Sequence, residues 1–217
     1  MSFQYYIAGN QKNALVCVRT EGEMKRLDYA TGLWEDMKEQ QDTSEWNVIT
    51  KHDAEEIIKA DQTAVAAHAK QKDKAGKPYI QHPVRVVERL EIEKDDIWTV
   101  QKICTALLHD TVEDTDKTLE DLGSFLDTNA LQAVALMTHE DDAVYLDYVR
   151  NLSNNPIARA VKKSDLRDNM DISRIPQPKQ KDYDRIKVKY EPAMKIIEEA
   201  EKKTAGLLFS DKVKRVQ

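Results

Sequence analysis

The sequence predicts a mainly α-helical fold: a helical bundle carrying a small antiparallel β appendage at its N-terminus. Three observations predict it. Gly and Pro number only six each in 217 residues, too few for a loop-rich chain. From about Lys51 onward, apolar residues recur at helical spacing. Before that point, short β-prone runs alternate with turn residues.

Residues 1–50 read as a small β-rich module. Residues 3–7 and 14–18 are β-prone, and Gly9-Asn10 between them is a turn signal. Residues 24–29 supply a third strand, which stops before Thr31-Gly32. Trp34 and Trp46 bracket an acidic stretch with Glu35, Asp36, Glu39 and Asp42, read as a short helix or loop. Residues 51–203 carry the bundle. Its first helix has Asp53 as N-cap and Glu56 three positions on, with Ile57, Ile58, Val65 and Ala66 on the apolar face. A second helix covers residues 83–92, with Pro83 at the first helical position, where a missing N–H costs little. The third, residues 95–110, bears Ile97, Val100, Ile103, Cys104, Leu107 and Leu108, a stripe wide enough for a central helix. Further helices follow at 119–126, 130–139, 143–152, 157–170 and 183–203, with the short connections of a compact bundle. Residues 204–217 form a basic tail interrupted by Leu207, Leu208 and Phe209.

Composition narrows the function. Hydrophobic residues at 41% allow a real core, yet no apolar run approaches the ~18 residues of a membrane span. The start lacks a basic stretch followed by an apolar one, so no secretion signal is expected. Cys17 and Cys104 lie far apart, as reduced thiols of a cytoplasmic protein do. The net charge of −6 argues against a nucleic-acid partner but leaves room for a local cationic pocket for a small phosphorylated ligand. There is no Gly-rich phosphate loop of the Walker type.

Three stretches carry candidate chemistry. The most apolar helix ends in His109-Asp110, and Glu113 and Asp114 follow one turn on. That places four polar groups where the pattern would otherwise stay apolar; the alternatives are a polar site and an acidic helix end facing water. His82 stands in the Pro-Tyr-Ile-Gln-His-Pro segment that leads into a helix, positioned by a turn. Asp165 and Asn169 share a helix face with Lys162, a set that is costly to bury without partners. His139-Glu140-Asp141-Asp142 reads instead as a helix C-terminus followed by an N-cap, and Cys104 as core.

The segments AHAKQKDKAGKPYIQHP, ALLHDTVEDT and VKKSDLRDNM resemble, in order and spacing, the HD-domain phosphohydrolases. They are most similar to the hydrolase domain of the RelA/SpoT group, including its small stand-alone alarmone hydrolases. The resemblance covers roughly residues 54–200. It implies an all-helical HD-domain bundle and an enzyme that removes the 3′-pyrophosphate from (p)ppGpp-like nucleotides, a small-molecule substrate. It implies four metal ligands, His82, His109, Asp110 and Asp165, around one divalent cation. That donor mix suits Mn²⁺ better than a closed structural zinc. It further implies Glu113 and Asp114 as the pair that handles water and leaving group. Lys74, Tyr79, Lys162 and Asn169 become pocket residues, with Arg167 as a further phosphate contact. Two departures stand out: Asp73 occupies the place of the family's base-stacking arginine, and Asp171-Ile172 replaces its Arg-Thr. These keep a second reading open, an HD nucleotidase acting on another nucleotide, and a third, a nucleotide-binding module without turnover. The chain is too short to add the synthetase domain of the long RelA/SpoT proteins. The N-terminal module offers the surface for a second copy or a protein partner.

Overall fold

A computed structural model describes residues 4–7, 16–19, 24–31, 33–37, 44, 46–139 and 143–214. Among these, β1 (Gln4–Ile7), β2 (Val16–Arg19), β3 (Met24–Asp28), β4 (Leu33–Asp36) and β5 (Asn47–Ile49) form one antiparallel sheet in the order β4-β3-β2-β1-β5. The first three match the expected strands; the Gly9-Asn10 turn lies outside the described residues. The segments after Trp34 and Trp46 differ from expectation, because both tryptophan regions extend the sheet. The acidic look of β4 hid a strand: Glu35 and Asp36 pair across to Arg26 (2.8 Å) and Lys25 (3.2 Å) on β3. Opposite charges facing each other across a ladder stabilise the pairing.

Among the described residues ten α-helices follow: α1 (Lys51–Ala67), α2 (Gln81–Glu88), α3 (Thr99–Leu108), α4 (Thr111–Asp114), α5 (Leu119–Gly123), α6 (Thr128–Met137), α7 (Tyr145–Leu152), α8 (Pro156–Met170), α9 (Gln180–Arg185) and α10 (Glu191–Lys214). A 3-10 turn, Ile172–Arg174, follows α8, and a π-helical turn, Ile186–Tyr190, joins α9 to α10. The N-cap of α1 is Thr50 rather than Asp53. Thr50 Oγ1 accepts the Asp53 N–H at 3.1 Å, and Asp53 Oδ2 accepts the Thr50 N–H at 2.9 Å, so Asp53 is the far half of the capping box. Pro83 is the third residue of α2, still in the first turn where an N–H has no helical acceptor. His82 is consequently helical and buried rather than held on a preceding turn.

The third helix begins four residues later than its pattern suggests. Asp95 has φ 62°, and the Asp96 side chain accepts the Trp98 N–H at 2.9 Å. Ile97 falls in this turn and is 79% exposed. From Val100 onward the expected stripe is buried. Ile103, Cys104, Ala106, Leu107 and Leu108 are inaccessible, and α3 packs on α1, α2, α6 and α8, so it is the central helix. The terminal helical segment starts at Gln180 and runs on through the basic tail to Lys214. Among the described residues no helix is long and apolar enough to cross a membrane.

The sheet is joined to the bundle through one core. Ile7, Leu27 and Tyr29 are buried in the same cluster as Ile57, Leu90 and Ile103. Tyr6, Met24 and Trp46 form a smaller cluster, with the Tyr6 and Trp46 rings edge-on at 6.3 Å. Because neighbouring strand residues face opposite ways, Tyr6 and Ile7 serve different sides of the sheet.

Candidate metal centre

The site is assembled where α3 ends. His109 caps α3 and Asp110 is the N-cap of α4, so a short break turns two consecutive side chains toward the bundle interior. His109 Nδ1 lies 2.9 Å from the Ala106 carbonyl oxygen. A carbonyl only accepts, so Nδ1 carries a proton and Nε2 is the nitrogen left to face the site. That Nε2 is buried and 3.0 Å from Asp110 Oδ2, yet has no hydrogen-bond partner. His82 enters from the first turn of α2, its Nε2 3.3 Å from Asp165 Oδ1 and 3.5 Å from Asp110 Oδ2. Asp165 comes from the buried face of α8. His82, His109 and Asp165 each offer a ligand atom, and all three atoms lie within 4.8 Å of one another.

Charge and chemistry fit a divalent cation at this point. Two imidazole nitrogens and carboxylate oxygens are the donors such ions take, and the orphaned Nε2 of His109 needs a partner of that kind. Burial disfavours a charged imidazole, but the carboxylates outweigh it, holding His109 above its ordinary value and His82 at about 9. Burial likewise opposes ionisation of Asp110 and Asp165. The imidazoles, with Lys162 at Asp165, nevertheless hold both well below the usual carboxylate range.

A cavity of about 340 Å³ opens above this cluster. Glu113 and Asp114 stand on its lip on α4. Glu113 Oε2 accepts the His139 N–H at 2.9 Å, which ties it to the end of α6. Burial and the charge of Asp110 push the Asp114 carboxyl up. Tyr79 lines the cavity, with its hydroxyl donating to Asp110 Oδ2 at 2.6 Å. Lys162 also lines it, but its ammonium donates to Asp165 Oδ2 at 2.9 Å and lies 5.6 and 5.4 Å from the ring centres of Tyr145 and Tyr148. Asn169 Nδ2 donates to the Asp165 carbonyl at 3.2 Å and to the Asp165 carboxylate.

The same cavity has a group of cations in its lining. Lys74, Arg174, Arg185 and Lys189 all line the cavity. Burial and the like charges of Arg185, Arg174 and Lys189 lower Lys74, against a weaker pull from Asp182. Burial, Lys162 and Arg185 lower Lys189 in the same way. Crowded cations that lower one another mark a place where an anion is favoured. Sequence reasoning found Lys74 but missed Arg174, Arg185 and Lys189. Arg185 and Lys189 lie four apart across the π turn, and nothing local says which way that face points. It also missed Asp168, His139, Tyr145 and Tyr148, although Asp168 sits inside a segment already singled out.

Arg167 is not in the cavity. It points to the other side of α8, where it donates to Glu91 Oε1 at 2.7 Å and lines a separate groove. Asp73 keeps its own loop in shape, with Oδ1 accepting the Ala75 and Lys77 N–H groups at 2.9 Å. Its Oδ2 faces the guanidiniums of Arg85 and Arg174, each at 3.9 Å. Glu140, Asp141 and Asp142 lie outside the described residues.

The chain is 47% identical over 70 residues to a guanosine-3′,5′-bis(diphosphate) 3′-pyrophosphohydrolase of Aquifex aeolicus, matching 32% of this chain and 10% of that protein. It is 32% identical over 120 residues to the guanosine-3′,5′-bis(diphosphate) 3′-pyrophosphohydrolase MESH1 of Mus musculus, matching 52% of this chain and 66% of that protein. The chain therefore spans between a tenth and 66% of the length of these two relatives. A solved structure, described as a metazoan orthologue of SpoT that hydrolyses ppGpp, shares the fold. Its TM-score is 0.51 at 22% identity, over 69% of this chain and 86% of that one. No protein-family model matches the chain. The chain is thus similar in sequence, over part of its length, to guanosine-3′,5′-bis(diphosphate) 3′-pyrophosphohydrolases, and in fold to that solved structure.

Proposed function

We propose that this protein is a metal-dependent phosphohydrolase that removes the 3′-pyrophosphate from a purine nucleotide of the (p)ppGpp type. The observation that carries the reading is the convergence of His82, His109 and Asp165 in a cavity that Lys74, Arg174, Arg185 and Lys189 also line. The names of its relatives support the substrate class. His82, His109, Asp110 and Asp165 would hold one divalent ion, Mn²⁺ by their mixed nitrogen and oxygen donors. When bound, that ion supplies an activated water and polarises a phosphoryl oxygen.

The chain's own groups supply the rest. Glu113, fixed by the His139 N–H, takes the proton of the attacking water. The water oxygen bonds to the phosphorus on the ribose 3′ oxygen, and the bond between them breaks. Asp114, held up by burial, hands its proton to that 3′ oxygen, leaving pyrophosphate and a 5′-phosphorylated nucleoside. Lys74, Arg174, Arg185 and Lys189 oppose the phosphate charge. Lys162 and Asn169 act on Asp165 and keep its carboxylate in place. We assign this chemistry to residues 51–203 of a cytoplasmic protein, with residues 1–50 and the basic residues 204–217 outside it.

The test is turnover with Mn²⁺ of ppGpp, pppGpp and their adenine counterparts, with pyrophosphate and orthophosphate measured separately. Pyrophosphate release is expected; intact substrates in the presence of a metal-binding protein overturn the reading. Asp73 at the base-recognition position favours a second reading, another nucleotide cleaved at another bond, and orthophosphate release would identify it. Asp110→Ala is expected to abolish turnover, and activity persisting in it would remove the metal role and leave a binding module.

A further inference from the structure

We propose that Asp168 is the positioning residue of the metal centre, fixing the tautomer and ring orientation of His82 from the side opposite the ion. The inference rests on the metal-site reading above. Asp165 and Asp168 lie three apart on α8 and flank the two nitrogens of one imidazole. Asp165 Oδ1 is 3.3 Å from His82 Nε2, and Asp168 Oδ2 is 2.7 Å from His82 Nδ1. An ionised carboxylate only accepts, so Nδ1 carries a proton and Nε2 is the nitrogen that faces the cluster and is left to take the ion. A histidine ligand is commonly oriented in this way by a carboxylate on its far nitrogen.

Asp168 cannot itself reach the ion's place. It is fully buried on the Nδ1 side, and guanidiniums surround both of its oxygens. Arg85 Nε donates to Oδ1 at 2.8 Å and its terminal nitrogen to Oδ2 at 3.2 Å. Arg89 lies 3.3 Å from Oδ1 and Arg174 3.3 Å from Oδ2. Three arginines around one inaccessible carboxylate are hard to explain by stability alone, since apolar residues of like volume would serve as well or better. The arrangement is suited to holding one imidazole in one orientation. Arg174 also donates to the Asp168 carbonyl at 2.6 Å and lines the cavity, so the wall that faces substrate and the ring that faces the ion share this carboxylate.

The experiment measures Mn²⁺ affinity by calorimetry on the full chain, wild type against Asp168→Asn, below the melting temperature of each metal-free protein. A loss of about 10- to 100-fold in affinity is expected. A folded Asp168→Asn protein with wild-type affinity and only a lowered metal-free melting temperature overturns the proposal, since that is what a structural role alone would give. Should the variant not fold, the wild-type chain loaded with diamagnetic Zn²⁺ still decides. The ring ¹⁵N shifts of His82 should show a protonated Nδ1 and a metal-bound Nε2, and the reverse assignment overturns the proposal. Failure of the wild-type chain to bind metal at all would remove the centre itself, whereas binding undiminished in Asp168→Asn removes only the positioning role of Asp168.

Discussion

Asp61 lies fully buried on α1, with neither carboxylate oxygen hydrogen-bonded. Burial, aided by the charge of Asp28, pushes its carboxyl up to about 8. The unfolded value is about 3.9, so the folded chain binds this proton more tightly than the unfolded one. Its stabilising contribution is therefore complete below about pH 4 and is lost as the pH rises through about 8. Asp61→Asn should remove that slope and raise stability at pH 8 by about 1–3 kcal/mol, as the burial cost of a charge is withdrawn. Chemical denaturation at pH 4, 6 and 8 checks it; an unchanged slope would refute the assignment. At the cavity wall the expected effect is on binding. Arg185→Ala should raise KM several-fold, on the order of 1 kcal/mol of lost charge-assisted contact, with a smaller change in kcat. The deficit should shrink at high salt, where the wild-type advantage is screened. Steady-state kinetics at two ionic strengths would show it. At this scale His109-Asp110 stood out because it breaks a strong apolar pattern, while the set of four metal-ligand candidates came from the resemblance of three segments to the HD-domain phosphohydrolases. Asp168 was not, since an aspartate on a charged helix is ordinary until its partners from α2 are known.

The helices show how local signals set element boundaries. Thr50 and Asp53 satisfy each other's backbone N–H groups, and the start of α1 depends on both. Thr50→Ala should cost about 1 kcal/mol, read as a lowered melting temperature with the site unchanged. Asp53 looks like an N-cap in the sequence because both box positions favour short polar residues; the backbone angles at Thr50 decide between them. The third helix illustrates the limit of periodicity. Ile97 falls in register with the stripe, but Asp95 at positive φ and the Asp96 turn put it in solvent. At the other end, the break at His109-Asp110 lets two consecutive residues, about 100° apart on a helix, reach one point. The π turn before α10 carries Lys189 to the cavity and Tyr190 into the core. Such turns frequently occur at functional sites.

At the scale of the molecule, the N-terminal sheet and the bundle share a core, so the sheet is part of what holds the helices together. Leu27 is buried in the main cluster beside the helical residues. Leu27→Ala should cost about 2–5 kcal/mol, the range for a large core residue cut to alanine. The prediction is a single cooperative transition at lower temperature by calorimetry. A separate early transition, with the helical one unmoved, would show the sheet to be an independent unit. The overall charge of −6 coexists with a cationic cavity wall, which concentrates the attraction for phosphate at one place on an otherwise acidic protein.

By itself the sequence determined the helical class, the order of most helices and the three stretches that hold the metal-ligand candidates. Each of these is written in residues close together in the chain, as periodicity, a cap or a short motif. Only the tertiary structure decided that two more strands join the sheet, that Arg167 faces away while Arg174, Arg185 and Lys189 face in, and that Asp168 holds His82. Those outcomes depend on which faces of distant elements meet, and a helix face carries no label for its partner until packing brings the two together.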